Sequence, residues 1–355
     1  MADTSILEKE SPSDLQTRWQ ALKGTEPGLR AKEAAARLGV TEAELVACRC
    51  GEGVRRLSGP WGDLLQDLPS LGEVMALTRN EHVVHEKHGT YGNISVARSM
   101  GLVLNREIDL RVLLSNWGSG FAVVEEVASG LRHSLQFFGT DGAAIHKIYL
   151  PKDADTGAYE ALVQRYLHDE QAAPLAITPR PAARAEKPDS DIRVAEMRDA
   201  WLALEDVHDF MILLRKYKVG RVQAMRLVGE DLAWRVDTGS FVRALEEAAA
   251  TSLSIMVFVA SPGVIQVHTG PIETVRRVSE WFNVLDPRFN LHLRDADIAS
   301  AWVVRKPTKN GIVTSMEIFN EDNQQIALMF GERGENKSEN PVWRALAESL
   351  DRVPS

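Results

Sequence analysis

The sequence carries two similar copies of one pattern, and this duplication constrains the fold more than any other feature. Met75 aligns with Met256 at an offset of 181 residues, and the same offset continues without a gap to Asp141 and Asp322. Self-similarity of this kind is typical of a chain built from two copies of one structural unit. Other identities at this offset pair Val83 with Val264, Gly89 with Gly270, Leu110 with Leu291, Ser134 with Ser315 and Phe138 with Phe319.

The segment between the two copies is rich in Pro, Ala and charged residues, which predicts an exposed linker. A chain of 355 residues is long enough for two domains, each with its own core. We therefore predict a first repeat over residues 1–171, a linker over 172–191 and a second repeat over 192–355. Function is then expected where the two repeats differ.

Each copy begins with helical patterns and continues with strands joined by short turns. Helices are predicted around Leu15–Leu22 and over Arg30–Leu38, and Thr41 begins a capping-box sequence that ends at Glu44. Short turns join antiparallel strands. We therefore predict an α+β fold with a tandem duplication, in which each half is a large antiparallel sheet flanked by helices. The predicted hairpins span residues 134–150, 252–268 and 313–330.

Composition excludes several classes of function. The formal net charge of -9 argues against general nucleic-acid binding. No run of about 18 apolar residues is present to cross a bilayer, and the polar N-terminus does not resemble a secretory signal, so a cytoplasmic location is expected. The sequence also lacks the glycine-rich phosphate loop, HExxH and GxSxG motifs of common enzymes.

Three histidines, His82, His85 and His88, are spaced three residues apart in the segment RNEHVVHEKHG. The flanking sequence predicts a strand, on which residues three apart point to opposite faces. We therefore expect surface or hydrogen-bonding histidines here rather than a three-histidine metal site.

His208 is a better candidate metal ligand. Asp206 is a plausible N-cap, which would place His208 in the first turn of a helix. The positive end of a helix dipole disfavours the imidazolium form, and a neutral imidazole with a free nitrogen is what an iron centre requires. The alternative is a structural histidine, which is the more common role of a single His.

Long segments of both halves carry a resemblance to a known family. They are RNEHVVHEKHGTY, LNREIDLRVLLSNW, SLQFFGTDGAAIHKIYL, DVHDF, IMVFVASPGVIQVHTGP, WFNVLDPRFNLHL and AWVVRKPTKNGIVTSMEIF. Together they resemble the hemin-degrading factor (HemS/HmuS) family of cytoplasmic haem-binding proteins in bacterial haem uptake and iron acquisition. The resemblance implies the two-copy architecture, with haem b bound as ligand or substrate on the second half and bordered by the first half.

The resemblance also implies roles for individual residues. His208 would be the axial ligand of the haem iron, and Arg111, which aligns with His292 in the second copy, would lie on the distal side as a candidate catalytic residue. Arg221, Lys306 and Arg333 would bind the propionates, since guanidinium and ammonium groups pair with carboxylates. Phe330 would form an apolar wall. Where several relatives have Gln-Leu-Tyr-Gly, this chain has Leu328 to Gly331, which makes that side of the pocket drier.

Three functions remain open at this point. The protein either carries haem to a separate oxygenase or opens the porphyrin with an electron donor and releases iron, with Arg111 stabilising negative charge on an oxygen ligand. Missing acid–base motifs and the apolar Leu328 and Phe330 favour carriage. A DNA-binding haem sensor is the weakest alternative. A haem oxygenase and the inner-membrane haem importer are the candidate protein partners, and a second haem site near His82, His85 and His88 stays open.

Overall fold

The computed structural model describes residues 11–181, 185–334 and 337–354. In the described part of the first half, helices flank a set of nine strands. The helices are α1 (Pro12–Thr25), α2 (Ala31–Leu38), α3 (Glu42–Ala47), α4 (Trp61–Asp67) and α5 (Thr156–Arg165). The strands are β1 (Val54–Leu57), β2 (Glu73–Arg79), β3 (Val83–Thr90), β4 (Ile94–Ala97), β5 (Met100–Leu104), β6 (Asp109–Leu113), β7 (Trp117–Val127), β8 (Gly130–Gly139) and β9 (Ala144–Tyr149).

Within residues 185–334 and 337–354, the second half repeats the same order of elements: three helices, a strand, a helix, eight strands and a last helix. The helices are α6 (Val194–Leu202), α7 (Asp209–Tyr217), α8 (Arg221–Val228), α9 (Ser240–Thr251) and α10 (Pro341–Glu348). The strands are β10 (Ala233–Val236), β11 (Ile255–Ala260), β12 (Val264–Gly270), β13 (Val275–Val278), β14 (Trp281–Asp286), β15 (Phe289–Leu293), β16 (Ser300–Thr308), β17 (Gly311–Phe319) and β18 (Gln325–Gly331).

The strands form two nine-stranded antiparallel sheets. The first sheet has the order β1-β7-β8-β9-β2-β3-β15-β14-β13, and the second has the order β10-β16-β17-β18-β11-β12-β6-β5-β4. The prediction of a duplicated α+β fold with large antiparallel sheets and flanking helices is therefore confirmed.

The two halves exchange three strands, which the sequence did not predict. Strands β4 to β6 leave the first half and continue the second sheet, where Arg111 of β6 lies opposite Ile265 of β12. Strands β13 to β15 continue the first sheet in the same way, with Leu291 opposite His85. The structure thus differs from an expected pair of separate domains, because each sheet needs strands from both halves. The exact limits of the two repeats stay a prediction.

The exchanged strands give the molecule a layered core. Apolar side chains of both sheets pack against each other in the interior; one cluster joins Val83 of the first half to Val257 and Leu291 of the second. On the outer face of the second sheet, α6, α7 and α8 pack over Trp302 and Val304 at the β10 and β16 end. The helices leave the outer face of β18, β11, β12 and β6 less covered, and this region positions the candidate site.

Local predictions of helix ends and hairpins agree well with the structure. Helix α2 ends at Leu38 because Gly39 takes the left-handed conformation, at φ 71°. The capping box is present, with Thr41 and Glu44 bonding each other's backbone N–H groups. The three predicted hairpins are the pairs β8–β9, β11–β12 and β17–β18. Residues 252–254 lie outside β11, since Ser252 is the left-handed C-cap of α9.

The predicted linker is not exposed throughout. Leu175 is buried against Phe121 and Phe138 of the first sheet, and the backbone N–H of Thr178 donates to Thr140 at 2.7 Å. Residues 182–184 of this segment, like residues 1–10 of the N-terminus, lie outside the described residues. None of the helices in the described ranges has both the length and the apolar character needed to cross a membrane.

Candidate functional site

His208 lies in the turn that leads into α7. The sequence predicted that His208 lies in the first turn of a helix. The helix begins at Asp209, however, so His208 occupies the N-cap position. The Asp206 carboxylate accepts the backbone N–H of His208 at 2.9 Å and therefore caps this turn instead of the helix. The His208 side chain is 85% exposed, which leaves it accessible to a ligand.

The Asp206 carboxylate also contacts the His208 ring. Its Oδ1 atom lies 2.6 Å from the Nδ1 atom, so the tautomer with the proton on Nδ1 would leave the Nε2 lone pair directed away from Asp206. A carboxylate behind an imidazole is the arrangement that orients histidine ligands of metals. The pKa of the Asp206 carboxyl is lowered, mainly by the bond from the His208 backbone and in part by the charge of Arg333. Arg333 therefore lies near the same turn.

Behind α7 lies a buried group of three charged residues and one serine, which we call the Glu317 cluster: Glu317, Arg221, Lys306 and Ser315. Arg221 begins α8 and donates from Nε and Nη2 to the two carboxylate oxygens of Glu317, at 2.5 and 2.9 Å. The Lys306 Nζ atom donates to Glu317 at 2.7 Å and to Ser315 at 3.0 Å. The Glu317 side chain is fully buried, and those of Lys306 and Arg221 are 3% and 18% exposed.

The cluster is a charged site at neutral pH. Burial lowers the pKa of Lys306 to about 8, so its ammonium form still predominates at pH 7. Burial alone would raise the pKa of the Glu317 carboxyl, but the charges of Arg221 and Lys306 outweigh this effect and hold that pKa below its usual range. The resemblance implied that Arg221 and Lys306 bind the propionates, yet both already pair with Glu317 here.

The outer face of the second sheet presents half-buried apolar side chains next to this cluster. Met256 lies opposite Phe330 and Phe258 lies opposite Leu328, so all four point to the same face of β11 and β18. The rings of Phe258 and Phe330 meet edge to face with centroids 5.2 Å apart. Ile265 of β12 extends the same face. We call these five side chains the open face.

Arg111 borders the open face from the first half. Its strand β6 is separated from β18 by β11 and β12, a lateral distance of three strand spacings or about 14 Å. The guanidinium pairs with Asp109, two residues before it on the same face of β6, and the two side chains are 31% and 17% exposed. The strand exchange thus brings Arg111 and Phe330 onto one sheet face, although they lie far apart in the sequence.

Arg333 follows the end of β18. The residue before it, Glu332, pairs with Arg106 of the first half at 3.1 Å, so the two halves also meet at this point. Phe330 lies opposite Ser315 of the Glu317 cluster and Arg333 follows it by three residues, so both lie on the side of the second half that carries His208, and Arg106 of the first half meets this side at Glu332. Among the predicted residues, Lys306 is the one that lies deepest.

The histidines at 82, 85 and 88 do not converge. His82 bonds Asp297 at 2.8 Å, His85 is fully buried in the interior, and His88 lies on the opposite face of β3. Within the described residues, no group of three His, Cys, Asp or Glu side chains is arranged to hold a metal ion. The sequence predicted surface or hydrogen-bonding histidines, but His85 is neither, since it is buried and its two ring nitrogens have no hydrogen-bond partner among the described residues.

The sequence analysis missed Glu317, Asp109 and Phe258. Glu317 had a detectable signal, because a lone acidic residue inside the apolar strand sequence IVTSMEIF needs a buried cation. Asp109 shares a strand face with Arg111 by its i, i+2 spacing. No pattern in the sequence identified Phe258 as a site residue. Its contact with Phe330 depends on the order of the strands in the sheet.

Comparisons with known proteins agree with this architecture. A family model described as the haemin-degrading HemS.ChuX domain matches residues 39–166 and 218–350, one segment in each repeat. The hemin transport protein HmuS of Yersinia pestis is 41% identical over 333 residues, which cover 94% of this chain and 96% of that protein.

Two solved structures are similar over nearly the whole chain. The holo form of PhuS, a heme-binding protein from Pseudomonas aeruginosa, is 45% identical with a TM-score of 0.95, covering 97% of this chain and 100% of that chain. ChuS, a heme degrading enzyme of Escherichia coli O157:H7, is 38% identical with a TM-score of 0.89, covering 96% and 100%. The resemblance seen in the sequence is confirmed, and the chain belongs to the haemin-degrading HemS.ChuX domain family.

Proposed function

We propose that this protein binds haem b in the cytoplasm during bacterial haem uptake and carries it to a downstream oxygenase. The observation that supports this most is His208, an 85% exposed imidazole with Asp206 on Nδ1, in a turn beside a half-buried apolar face. An available Nε2 atom is the group that binds haem iron. The names of HmuS as a hemin transport protein and PhuS as a heme-binding protein agree with the proposal.

The residues around His208 fit the chemistry of a porphyrin. Its flat apolar ring needs an apolar wall, for which Phe330 and Leu328 of the open face are suited. Met211 and Ile212, next along α7, are 46% and 62% exposed, more than their apolar side chains would favour in water. Binding a porphyrin beside His208 would bury part of this surface.

The propionates need cations near the rim of the site. We assign them to Arg333, near Asp206, and to the Nη1 edge of Arg221, which is not used by Glu317. Lys306 would not contact the propionates directly, because its side chain is only 3% exposed. It would affect them through its ion pair with Glu317. Guanidinium groups suit this task, as they bind carboxylates with two parallel hydrogen bonds.

Degradation of haem is the second candidate function, and the position of Arg111 favours it. A cation on the distal side would stabilise negative charge that develops on an oxygen ligand. However, Asp109 already offsets the charge of Arg111. Leu328 and Phe330 also provide no hydrogen-bond donor on their side of the site. These two facts lead us to prefer carriage, with a haem oxygenase or the inner-membrane haem importer as partner.

Hemin titration with a variant series tests the proposal. The protein should bind one equivalent of hemin with a Soret band characteristic of histidine ligation, and His208→Ala should shift this band and speed haem loss. His168→Ala is a matched control, because that ring accepts the backbone N–H of Glu170 at 2.9 Å in a loop of the first half. If His208→Ala keeps the wild-type spectrum, His208 is not the ligand.

A transfer assay then separates the two functions. Haem on a carrier should move to an added haem oxygenase faster than free dissociation allows. It should also survive reductant when catalase removes peroxide. Transfer at the rate of free dissociation would contradict the carrier proposal.

A further inference from the structure

The Glu317 cluster lies directly under the first turn of α7. Phe210, two residues after His208, is 1% exposed and fixes this turn to the protein. The Arg221 guanidinium carbon lies 5.0 Å from the centre of the Phe210 ring, and the Lys306 Nζ atom lies 4.8 Å from it. Both cations that pair with Glu317 therefore also contact the same aromatic ring.

A second contact joins the cluster to α7. The Nη1 atom of Arg221 lies 3.6 Å from the Sδ atom of Met211. The other side of Phe210 packs edge to face on Trp201 of α6, with centroids 4.6 Å apart. The turn that presents His208 is thus attached to the sheet through Phe210 and Met211, and the position of their cationic partners depends on Glu317.

We infer that Glu317 is a positioning residue for His208, which acts through Arg221, Lys306 and the Phe210 ring and does not itself touch the ligand. The inference rests on the proposed function for the role of His208. Without Glu317, two cations would remain buried side by side with no counter-charge, and they would separate or lose a proton. Either response would remove them from Phe210 and loosen the start of α7.

Glu339 offers a matched control. Its side chain is 2% exposed and pairs with Arg344, and it accepts bonds from the backbone and hydroxyl groups of Thr314. Thr314 precedes Ser315 on β17, so its side chain points to the opposite face of the strand from the Glu317 cluster. Glu339→Gln therefore also removes a buried carboxylate that bonds a residue of β17, but on the face away from α7.

Hydrogen exchange of the haem-free protein gives the first test. Glu317→Gln should speed exchange of the amides at the start of α7, around residues 209–213, at least about tenfold, while α9 stays at the wild-type rate. In Glu339→Gln, the exchange rate of the α7 amides relative to the α9 amides should be the same as in the wild type. Equal acceleration of α7 in both variants, or none in Glu317→Gln, would overturn the inference. If the Gln variant does not fold, Glu317→Asp keeps the charge and should give a smaller acceleration confined to α7, whereas wild-type exchange there would count against the inference.

Haem release gives the second test. Glu317→Gln should speed the loss of the haem dimethyl ester, which carries no carboxylate, because the effect passes through His208. The loss of free-acid haem should be accelerated at least as much, since Arg221, which we assign to a propionate, is displaced as well. If the variant instead binds free-acid haem more tightly and leaves the ester unchanged, Glu317 competes with propionates and the inference is wrong. A wild-type protein that binds no haem would refute the proposed function, and the exchange experiment would still decide the role of Glu317.

Discussion

The Oδ1 atom of Asp206 contacts His208 twice, at 2.6 Å from Nδ1 of the ring and at 2.9 Å from the backbone nitrogen. One carboxylate therefore restrains both the backbone and the ring of the same residue. Because the ring is otherwise 85% exposed, this restraint decides where Nε2 points. Asp206 is exposed too, so the restraint depends on the hydrogen bonds and not on burial.

The first prediction concerns Asp206. Asp206→Ala should weaken hemin binding about 10- to 100-fold, the usual effect of losing a group that orients a metal-binding histidine. Asp206→Asn should have a smaller effect, since its carbonyl oxygen still accepts the backbone N–H. Hemin titration measures both. Asp231→Asn is the control, because that carboxylate pairs with Arg198 instead. Wild-type affinity in Asp206→Ala would remove Asp206 from the site.

The second prediction concerns Arg333 and the propionates. Arg333→Gln should weaken binding of free-acid haem by about 1–3 kcal/mol, as expected for a charge-assisted hydrogen bond. The dimethyl ester carries no carboxylate, so its affinity should be insensitive to the substitution. Arg277→Gln, which removes an arginine paired with Asp295, should change neither affinity. Equal losses for acid and ester would refute the assignment of Arg333.

Local sequence signals identified much of the fold. Turn residues, the Thr41 capping box and the 181-residue offset act over short distances or compare the chain with itself, so they are visible in one sequence. The exchange of β4–β6 and β13–β15 was not visible. A strand such as β6 could pair with an edge strand of its own half or with one of the other half. Its alternating pattern of apolar residues is the same in both arrangements.

The site was harder to predict than the fold. The pattern around Asp206 and the resemblance both indicated His208, and the resemblance alone supplied Arg333. Asp206 bonds the ring of His208, and the charge of Arg333 acts on the same carboxylate. The resemblance also suggested Lys306 as a propionate-binding cation, but the pairing of Lys306 with Glu317 depends on the register of β16 against β17. That register sets Trp302 opposite Glu317 and Val313 opposite Lys306, which is a property of the folded sheet and not of either segment.

The third prediction concerns acid stability. Burial lowers the pKa of both His146 and His268 to about 3, and that of His85 well below its usual value. The unfolded chain binds protons at these residues below about pH 6.5, while the folded protein does not, so stability is lost as the pH falls from 6.5 toward 3. Three such groups give a slope of up to about 4 kcal/mol per pH unit near pH 5.

Urea unfolding at pH 7, 6 and 5 measures this slope. His146→Gln should reduce it by about 1.4 kcal/mol per pH unit, since one titrating group is removed. The variant is expected to lose stability at pH 7, because the ring bonds Thr78 at 2.9 Å and Tyr91 at 2.6 Å. The slope is therefore the quantity to compare. An unchanged slope would mean that His146 is not neutral and buried in the folded state.

The last prediction separates the roles of Arg111 and His208. Arg111 belongs to a first-half strand that pairs with β12, whereas His208 lies in the second-half turn before α7. Arg111→Ala should therefore keep a His208-ligated spectrum and lower hemin affinity by less than about tenfold, or 1.4 kcal/mol. It should change the binding of small distal ligands, which can be followed by the shift of the Soret band.

Asp109 makes this test sharper, because it controls how much of the Arg111 charge is available. In the carrier, haem with reductant and catalase should keep its Soret band in the wild type, in Arg111→Ala and in Asp109→Asn alike. In a degrading enzyme the wild type would lose the band and release chelatable iron. Arg111→Ala would slow that loss, and Asp109→Asn would accelerate it by removing the carboxylate that offsets the distal cation. Ring opening that follows this order would overturn the carrier proposal and make Arg111 a catalytic residue.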